Sequence, residues 1–166
     1  MANYLFLTRR KTRSNMSLRD IANPKKRRER FTRTLTGKQV RAMKKRGYDA
    51  ERELVQMMRE QGFAAVRIPV SAPSTEPLPD VFAVKNSTVV AFEVKSQLKY
   101  SYYKSDQVAK LNGFLDIHKI YPRRYAVLAG KFKYKGWCFK IAERSGDYTL
   151  KTGEGLTFKE LITRLT

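Results

Sequence analysis

Residues 80–95 read DVFAVKNSTVVAFEVK. An aspartate opens the stretch, and a glutamate and a lysine close it. Two carboxylates and one ammonium can work on a phosphodiester. Paired carboxylates suit Mg²⁺, a hard cation that keeps several waters and takes one or two protein carboxylates beside phosphate oxygens. An ammonium beside that cation holds a water and stabilises charge developing on the phosphate, and its neutral amine form can take the water's proton. A lone Glu-x-Lys is a commonplace surface ion pair. The specific feature is Pro79-Asp80, twelve residues, then Glu93-Val94-Lys95 at the end of an apolar strand.

The element holding these groups reads as a hairpin. With Asn86-Ser87 as a two-residue turn, residue numbers of paired positions sum to 173. Asn tolerates the positive φ such a turn asks of its first residue, though Ser is weaker than Gly at the second. Val84 then faces Val89, Phe82 faces Ala91, and Asp80 faces Glu93. Directly opposed Cβ atoms lie about 4.5–5.5 Å apart. Two carboxylates that close repel, so one is protonated or a cation sits between them. Alternate side chains share a face, which puts Lys95 beside Glu93 and both beyond Val89 and Ala91.

Around the hairpin, Gly37 to Gly62 reads as a helix with Ala50, Leu54, Val55, Met57 and Met58 on its apolar side. It is clearest over 48–61, because Gly47 can break or bend it. Glu51 shares the stripe of Leu54, Val55 and Met58, an acid on the side expected to meet the sheet. Residues 63–70 read as a strand and 71–79, with three prolines, as a loop. Strands are expected at 80–85, 88–95, 123–130 and 136–142. Helices are expected over about 105–117, capped by Ser105, and over 156–165. The order αβββαββα describes an α/β fold, a mixed sheet flanked by helices.

Charge dominates the composition of the 166 residues: 35 Lys and Arg against 15 Asp and Glu, net +20. Folding needs no such excess, since self-repulsion opposes compaction; polyanions such as nucleic acid or an anionic membrane are the usual beneficiaries. Residues 1–46 hold 16 of the cations and two acids, Asp20 and Glu29. We therefore divide the chain into a basic, flexible DNA-binding arm at 1–37 and a folded domain at 38–166. Acid-poor, Arg-rich N-termini also occur in transit peptides, but the arm lacks a sustained amphipathic stripe. No apolar run approaches the ~18 residues of a spanning helix, so no membrane partner is expected. Cys138, the single cysteine, excludes an internal disulfide framework and a cysteine-rich zinc site.

The PD…EVK arrangement is the motif of the PD-(D/E)xK nuclease superfamily. The wider stretch GYDAERELVQMMREQGFAAVRIPVS…LPDVFAVKNSTVVAFEVKS resembles the archaeal Holliday junction resolvases. The likeness is strong from about Gly47 to Ser96, looser through the helix near 105–117, and absent over 1–46. It implies a restriction-endonuclease-like fold and a Mg²⁺-dependent endodeoxyribonuclease, with Mn²⁺ able to substitute. It further implies a homodimer that resolves four-way DNA junctions by paired phosphodiester hydrolysis. Such a protein works in the cytoplasm, on the nucleoid of an archaeon-like cell.

Carried over residue by residue, the resemblance makes Glu51, Asp80 and Glu93 catalytic acids and metal ligands. The carbonyl of Val94 becomes a further ligand and Lys95 the catalytic lysine. Ser71 matches a serine on a loop near the scissile strand; Ser74 competes, and the register favours Ser71. Arg52, Arg67 and Gln107 match positions that contact DNA. The resemblance also assigns Phe114 and Ile117 to the dimer interface. The bases and tyrosines of 99–107 suit either stacking on nucleic acid or an ordinary strand edge, and Trp137 and Phe139 suit core or interface. Two alternatives remain: another PD-(D/E)xK repair or restriction-like enzyme acting on plain duplex, and a non-catalytic basic nucleic-acid-binding protein. A pure binder has no use for acids beside a phosphate, which they repel.

Overall fold

The structure, a computed structural model, describes residues 35–69 and 76–166. All but the last three residues of the expected arm, and the loop serines Ser71 and Ser74, lie outside the described residues. The elements are α1 (Gly37–Glu60), β1 (Ala64–Arg67), β2 (Val81–Lys85), β3 (Thr88–Gln97), β4 (Tyr100–Tyr103), α2 (Ser105–Ile117), β5 (Arg123–Phe132), β6 (Gly136–Ile141), β7 (Tyr148–Lys151) and α3 (Phe158–Leu165).

Helix α1 runs unbroken through Gly47. An interior glycine costs a helix only about 0.5–1 kcal/mol, which anchors at both ends offset. At the start, the Thr36 hydroxyl accepts from the Gln39 N–H, and the Gln39 side chain accepts from the Thr36 N–H at 2.8 Å, a reciprocal cap. At the end, Gly62 adopts φ +80°. Its N–H reaches Arg59 O at 2.9 Å and the Phe63 N–H reaches Met58 O at 3.1 Å, satisfying two carbonyls the helix leaves orphaned. Between them Ala50, Leu54 and Met58 are fully buried.

Five strands form one sheet in the order β1-β2-β3-β5-β6. Only β3 and β5 are parallel; the chain crosses between them through β4 and α2, as a parallel pair requires. The β2–β3 hairpin takes the expected register, Val81–Phe92 through Lys85–Thr88, with Asn86 at φ +52°. The period of two then sorts β3. Val90, Phe92 and Val94 join the core under α1 and α3. Val89 and Ala91 join the core under α2, with Tyr103 and Leu150 from the small β4–β7 sheet. Glu93 and Lys95 continue this second row past its apolar part.

The sheet and three helices follow the sequence reading closely, but β4 and β7 were not expected. Their pairing, Tyr100–Lys151 to Tyr103–Tyr148, spans nearly fifty residues and has no local signal. Of the 99–107 tyrosines, Tyr103 is buried and Tyr100 and Tyr102 are exposed. Ser105 is not the cap of α2. The capping position falls one residue earlier, at Lys104, and the Ser105 N–H is taken by Asp147 Oδ1 at 2.7 Å. Phe114 is buried, its ring 5.2 Å from Phe82 and 4.5 Å from His118, so it is core and not a free interface residue. Trp137 stacks on Phe139 at 5.6 Å. Among the described residues no helix is long and apolar enough to cross a membrane.

Candidate active site

At the end of the hairpin, Asp80 leaves the ladder. Its N–H bonds Phe92 O at 2.9 Å, and its own carbonyl accepts from the Ile68 N–H. Its carboxylate bends back, and Oδ2 accepts from the Val94 N–H at 2.7 Å. The side chain thus fills the place of a strand carbonyl and is fixed against β3 between Glu93 and Lys95. Neighbouring Val94 is buried.

Glu93 accepts from the Gln107 side-chain amide. Gln107 Oε1 in turn accepts from Lys95 Nζ at 2.6 Å and from the Lys104 N–H at 3.2 Å. One amide from the first turn of α2 therefore bridges the glutamate and the lysine of the motif. Lys95 Nζ also donates to the Tyr102 carbonyl and lies 4.8 Å from the centre of the Tyr103 ring. Asp80, Glu93, Lys95 and Gln107 line a cleft of about 530 Å³ with Leu78, Lys104 and Lys110.

Burial pushes the Asp80 carboxyl up to about 6, with the Glu51 charge adding to it; the Val94 N–H, Lys95 and Arg67 oppose the rise. Burial also pushes Glu93 up, to about 8, with the Asp80 charge next in importance. Burial lowers the Lys95 pKa, against the pull of Glu93 and Asp80. Neither Asp80 nor Glu93 has an ion-pair partner among the described residues. Two hard carboxylates, crowded and without a directly bonded cation, form a donor set that fits Mg²⁺.

Glu51 is buried on α1, and its carboxylate is engaged by Arg67 Nε from the end of β1. The Arg67 guanidinium lies 4.5 Å from the centre of the Tyr48 ring. Glu51 is close enough to raise the Asp80 pKa. Even so, no three His, Cys, Asp or Glu side chains gather as a ready cation cage among the described residues. Arg52 is exposed and paired with Asp49 at 3.2 Å. Ser71 lies outside the described residues.

Sequence reasoning weighed Tyr102 only for stacking or a strand edge, and missed Asp147. Asp147 takes the Tyr102 hydroxyl and the Ser105 N–H, tying the strand before α2 to the turn before β7. The Tyr102 backbone and the start of α2 together hold Lys95.

Residues 42–166 match the family described as archaeal Holliday junction resolvase (Hjc). The chain belongs to the archaeal Holliday junction resolvase family. It is 37% identical over 118 residues to the crossover junction endodeoxyribonuclease Hje of Saccharolobus solfataricus, covering 70% of this chain and 86% of that one. It is 47% identical over 88 residues to the Hje of Sulfolobus acidocaldarius, 52% of this chain and 62% of that one. Among solved structures, the Archaeoglobus fulgidus Hjc, a Holliday junction resolvase, matches at 26% identity with a TM-score of 0.58. That match covers 70% of this chain and 99% of that one. The fold is thus the restriction-endonuclease-like one expected. Residues 1–41 precede the family match, in agreement with a resemblance that leaves out the N-terminal segment.

Proposed function

We propose that this chain is a Mg²⁺-dependent endodeoxyribonuclease that resolves four-way DNA junctions. The observation that carries the reading is the pair Asp80 and Glu93. They are two partly buried carboxylates with raised pKa values, beside Lys95 at a strand end, in a chain of the junction resolvase family. The carboxylates of Asp80 and Glu93 and the carbonyl of Val94 would hold the cation. When bound, it polarises the scissile phosphate and makes its water more acidic.

The remaining work falls to this chain's own groups. Lys95 is held by Gln107 and the Tyr102 carbonyl, so its ammonium is fixed before substrate arrives. It directs a water at phosphorus and stabilises the extra charge on the phosphate as the 3′ oxygen leaves in line. The attacking water gives its proton to solvent and the leaving 3′ oxygen takes one up, so the products are a 5′ phosphate and a 3′ hydroxyl. Arg67, steadied by Glu51 and Tyr48, would meet a neighbouring phosphate oxygen. Arg52, on the exposed side of the same helix as Glu51, is a further phosphate contact. Positioning dominates such chemistry. The acids disfavour the reading as a non-catalytic coat protein, because a pure binder gains nothing from carboxylates that repel its ligand.

Symmetric cutting of a junction calls for two sites related by a two-fold axis, and we propose a homodimer that acts on DNA in the cytoplasm. Ile117 at the end of α2 and Ile120 in the turn beyond it, 71% and 88% exposed, are side chains such an interface would cover. The test is cleavage of a four-way junction and of linear duplex of the same sequence, with Mg²⁺ or Mn²⁺ and with chelator. Metal-dependent cutting confined to the junction is expected. Equal cutting of duplex would make this a plain duplex nuclease, and no cutting of either would leave a DNA-binding protein.

A further inference from the structure

The first ten residues of α1, 37–46, lie outside the core and the acidic cluster. Residues 35–46 are all exposed, whereas Ala50, Glu51, Leu54, Val55 and Met58 are buried. At 1.5 Å per residue, α1 runs ~15 Å past the sheet. That stretch carries Lys38, Arg41, Lys44, Lys45 and Arg46, and no acid stands between Leu35 and Tyr48. None of the five has an ion-pair partner among the described residues. Like charges three and four apart destabilise a helix, so an anion along this stretch would relieve a standing repulsion.

The direction of the charge matters as much as its amount. At 100° per residue, Arg41, Lys45, Tyr48 and Arg52 fall within a stripe about 60° wide, and Lys44 lies about 20° from the direction of Glu51. Arg67 lies over the Tyr48 ring and pairs with Glu51. The cations are thus continuous with the proposed site. The family match starts at residue 42, so Lys38 and Arg41 lie outside it. Lys44 stands ~10 Å and Lys38 ~20 Å along the axis from Glu51. At 3.4 Å per base pair, this corresponds to roughly three to six base pairs.

We propose that residues 38–46 of α1 form a phosphate rail. It grips the duplex branch leading away from the scissile phosphate, about three to six base pairs from the cut. The proposal rests on the nuclease reading above and adds to it a second, non-catalytic contact with the junction.

The experiment uses the full chain and a variant with Lys38→Gln, Arg41→Gln, Lys44→Gln and Lys45→Gln. Both are bound without divalent metal to an ordinary four-way junction. Both are also bound to one carrying uncharged methylphosphonates at the third to sixth phosphates from the mapped cut. Each phosphate that is no longer neutralised flattens the log–log salt dependence by about 0.9, so the slope of the variant on the ordinary junction should be shallower by about 2–4. The methylphosphonates should weaken the wild type and cost the variant little more, because the two changes act on the same ion pairs. An unchanged slope, or losses that add in full, would overturn the rail. So would a variant that keeps its helix content by circular dichroism but changes oligomeric state by sedimentation, since α1 would then serve a protein contact. Cleavage of the ordinary junction by the wild type is the separate control. Its failure counts against the nuclease reading, whereas the binding results decide the rail.

Discussion

If the Asp80 carboxylate sits where its charge is unfavourable without a cation, Asp80→Asn should stabilise the metal-free protein. Asp80 moves from an ordinary 3.8 to about 6, chiefly by burial. The sign follows from proton counting. Between these values the folded state holds a proton that the unfolded chain has released. Stability therefore falls as pH rises through that window, and the full penalty applies above it. A shift of about two units corresponds to about 3 kcal/mol. Asparagine cannot ionise, and its Oδ1 still accepts from Val94 N–H. It also removes a charge that raises Glu93, which adds in the same direction. Allowing for local relaxation, we expect the variant to gain about 1–3 kcal/mol at pH 8 in chelator, or roughly 3–10 °C in Tm. The gain should vanish by about pH 4. Added Mg²⁺ should reverse the order, raising the Tm of the wild type by binding only its folded state and leaving the variant where it was. Thermal melts from pH 4 to pH 8, with chelator and with Mg²⁺, read all of this. An Asp80→Asn protein less stable than wild type at pH 8 in chelator, or equally favoured at every pH, would refute the reasoning.

Three further outcomes follow from the same geometry. Lys95→Ala should abolish junction cleavage while leaving circular dichroism and junction binding close to wild type; a variant that only melts earlier, with an unchanged rate per folded enzyme, would make Lys95 a structural partner. Gln107→Ala removes the amide between Glu93 and Lys95 and should lower single-turnover cleavage about 10–100-fold, with Gln107→Glu failing to restore it because a carboxylate cannot donate to Glu93. Asp147→Ala should lower Tm at neutral pH. The Tyr102 hydroxyl first, and then the Ser105 N–H, hold the Asp147 pKa below its usual range, so its contribution is present above that range and lost as pH falls through the depressed folded value. A Tm difference between wild type and Asp147→Ala that persists at about pH 2 would contradict this.

The hairpin was legible because its information is local. A turn residue fit for positive φ and two alternating strands set the register, and the period of two then put Glu93 and Lys95 on the face of Val89 and Ala91. Glu51 was legible for a similar reason, as an acid within the apolar stripe of α1. The departure of Asp80 from the ladder was not, because the strand pattern does not say when a side chain will take the place of a carbonyl. The expected face-to-face pair is therefore a carboxylate folded back onto Val94. Gln107 stood out only as a matched position; its bridge depends on where the crossover brings α2, fourteen residues beyond Glu93. Asp147 gave no signal, since its contacts reach back 42 and 45 residues and require the β4–β7 pairing. Phe114 looked available to a partner because its helix position did not reveal that Phe82 and His118 enclose it.

If the carboxylates at the end of the hairpin cut a DNA junction, the most direct measurement is single-turnover cleavage of an end-labelled four-way junction in Mg²⁺. Wild type and Glu93→Gln are compared at occupancies matched by binding. Glutamine keeps the size of Glu93 and a carbonyl oxygen while removing the charge. Wild type should cut two opposed strands. The variant should bind as well or better but cut more than about a thousandfold more slowly, a loss of about 4 kcal/mol in transition-state stabilisation. Near-wild-type cutting by Glu93→Gln would place the chemistry elsewhere in the molecule.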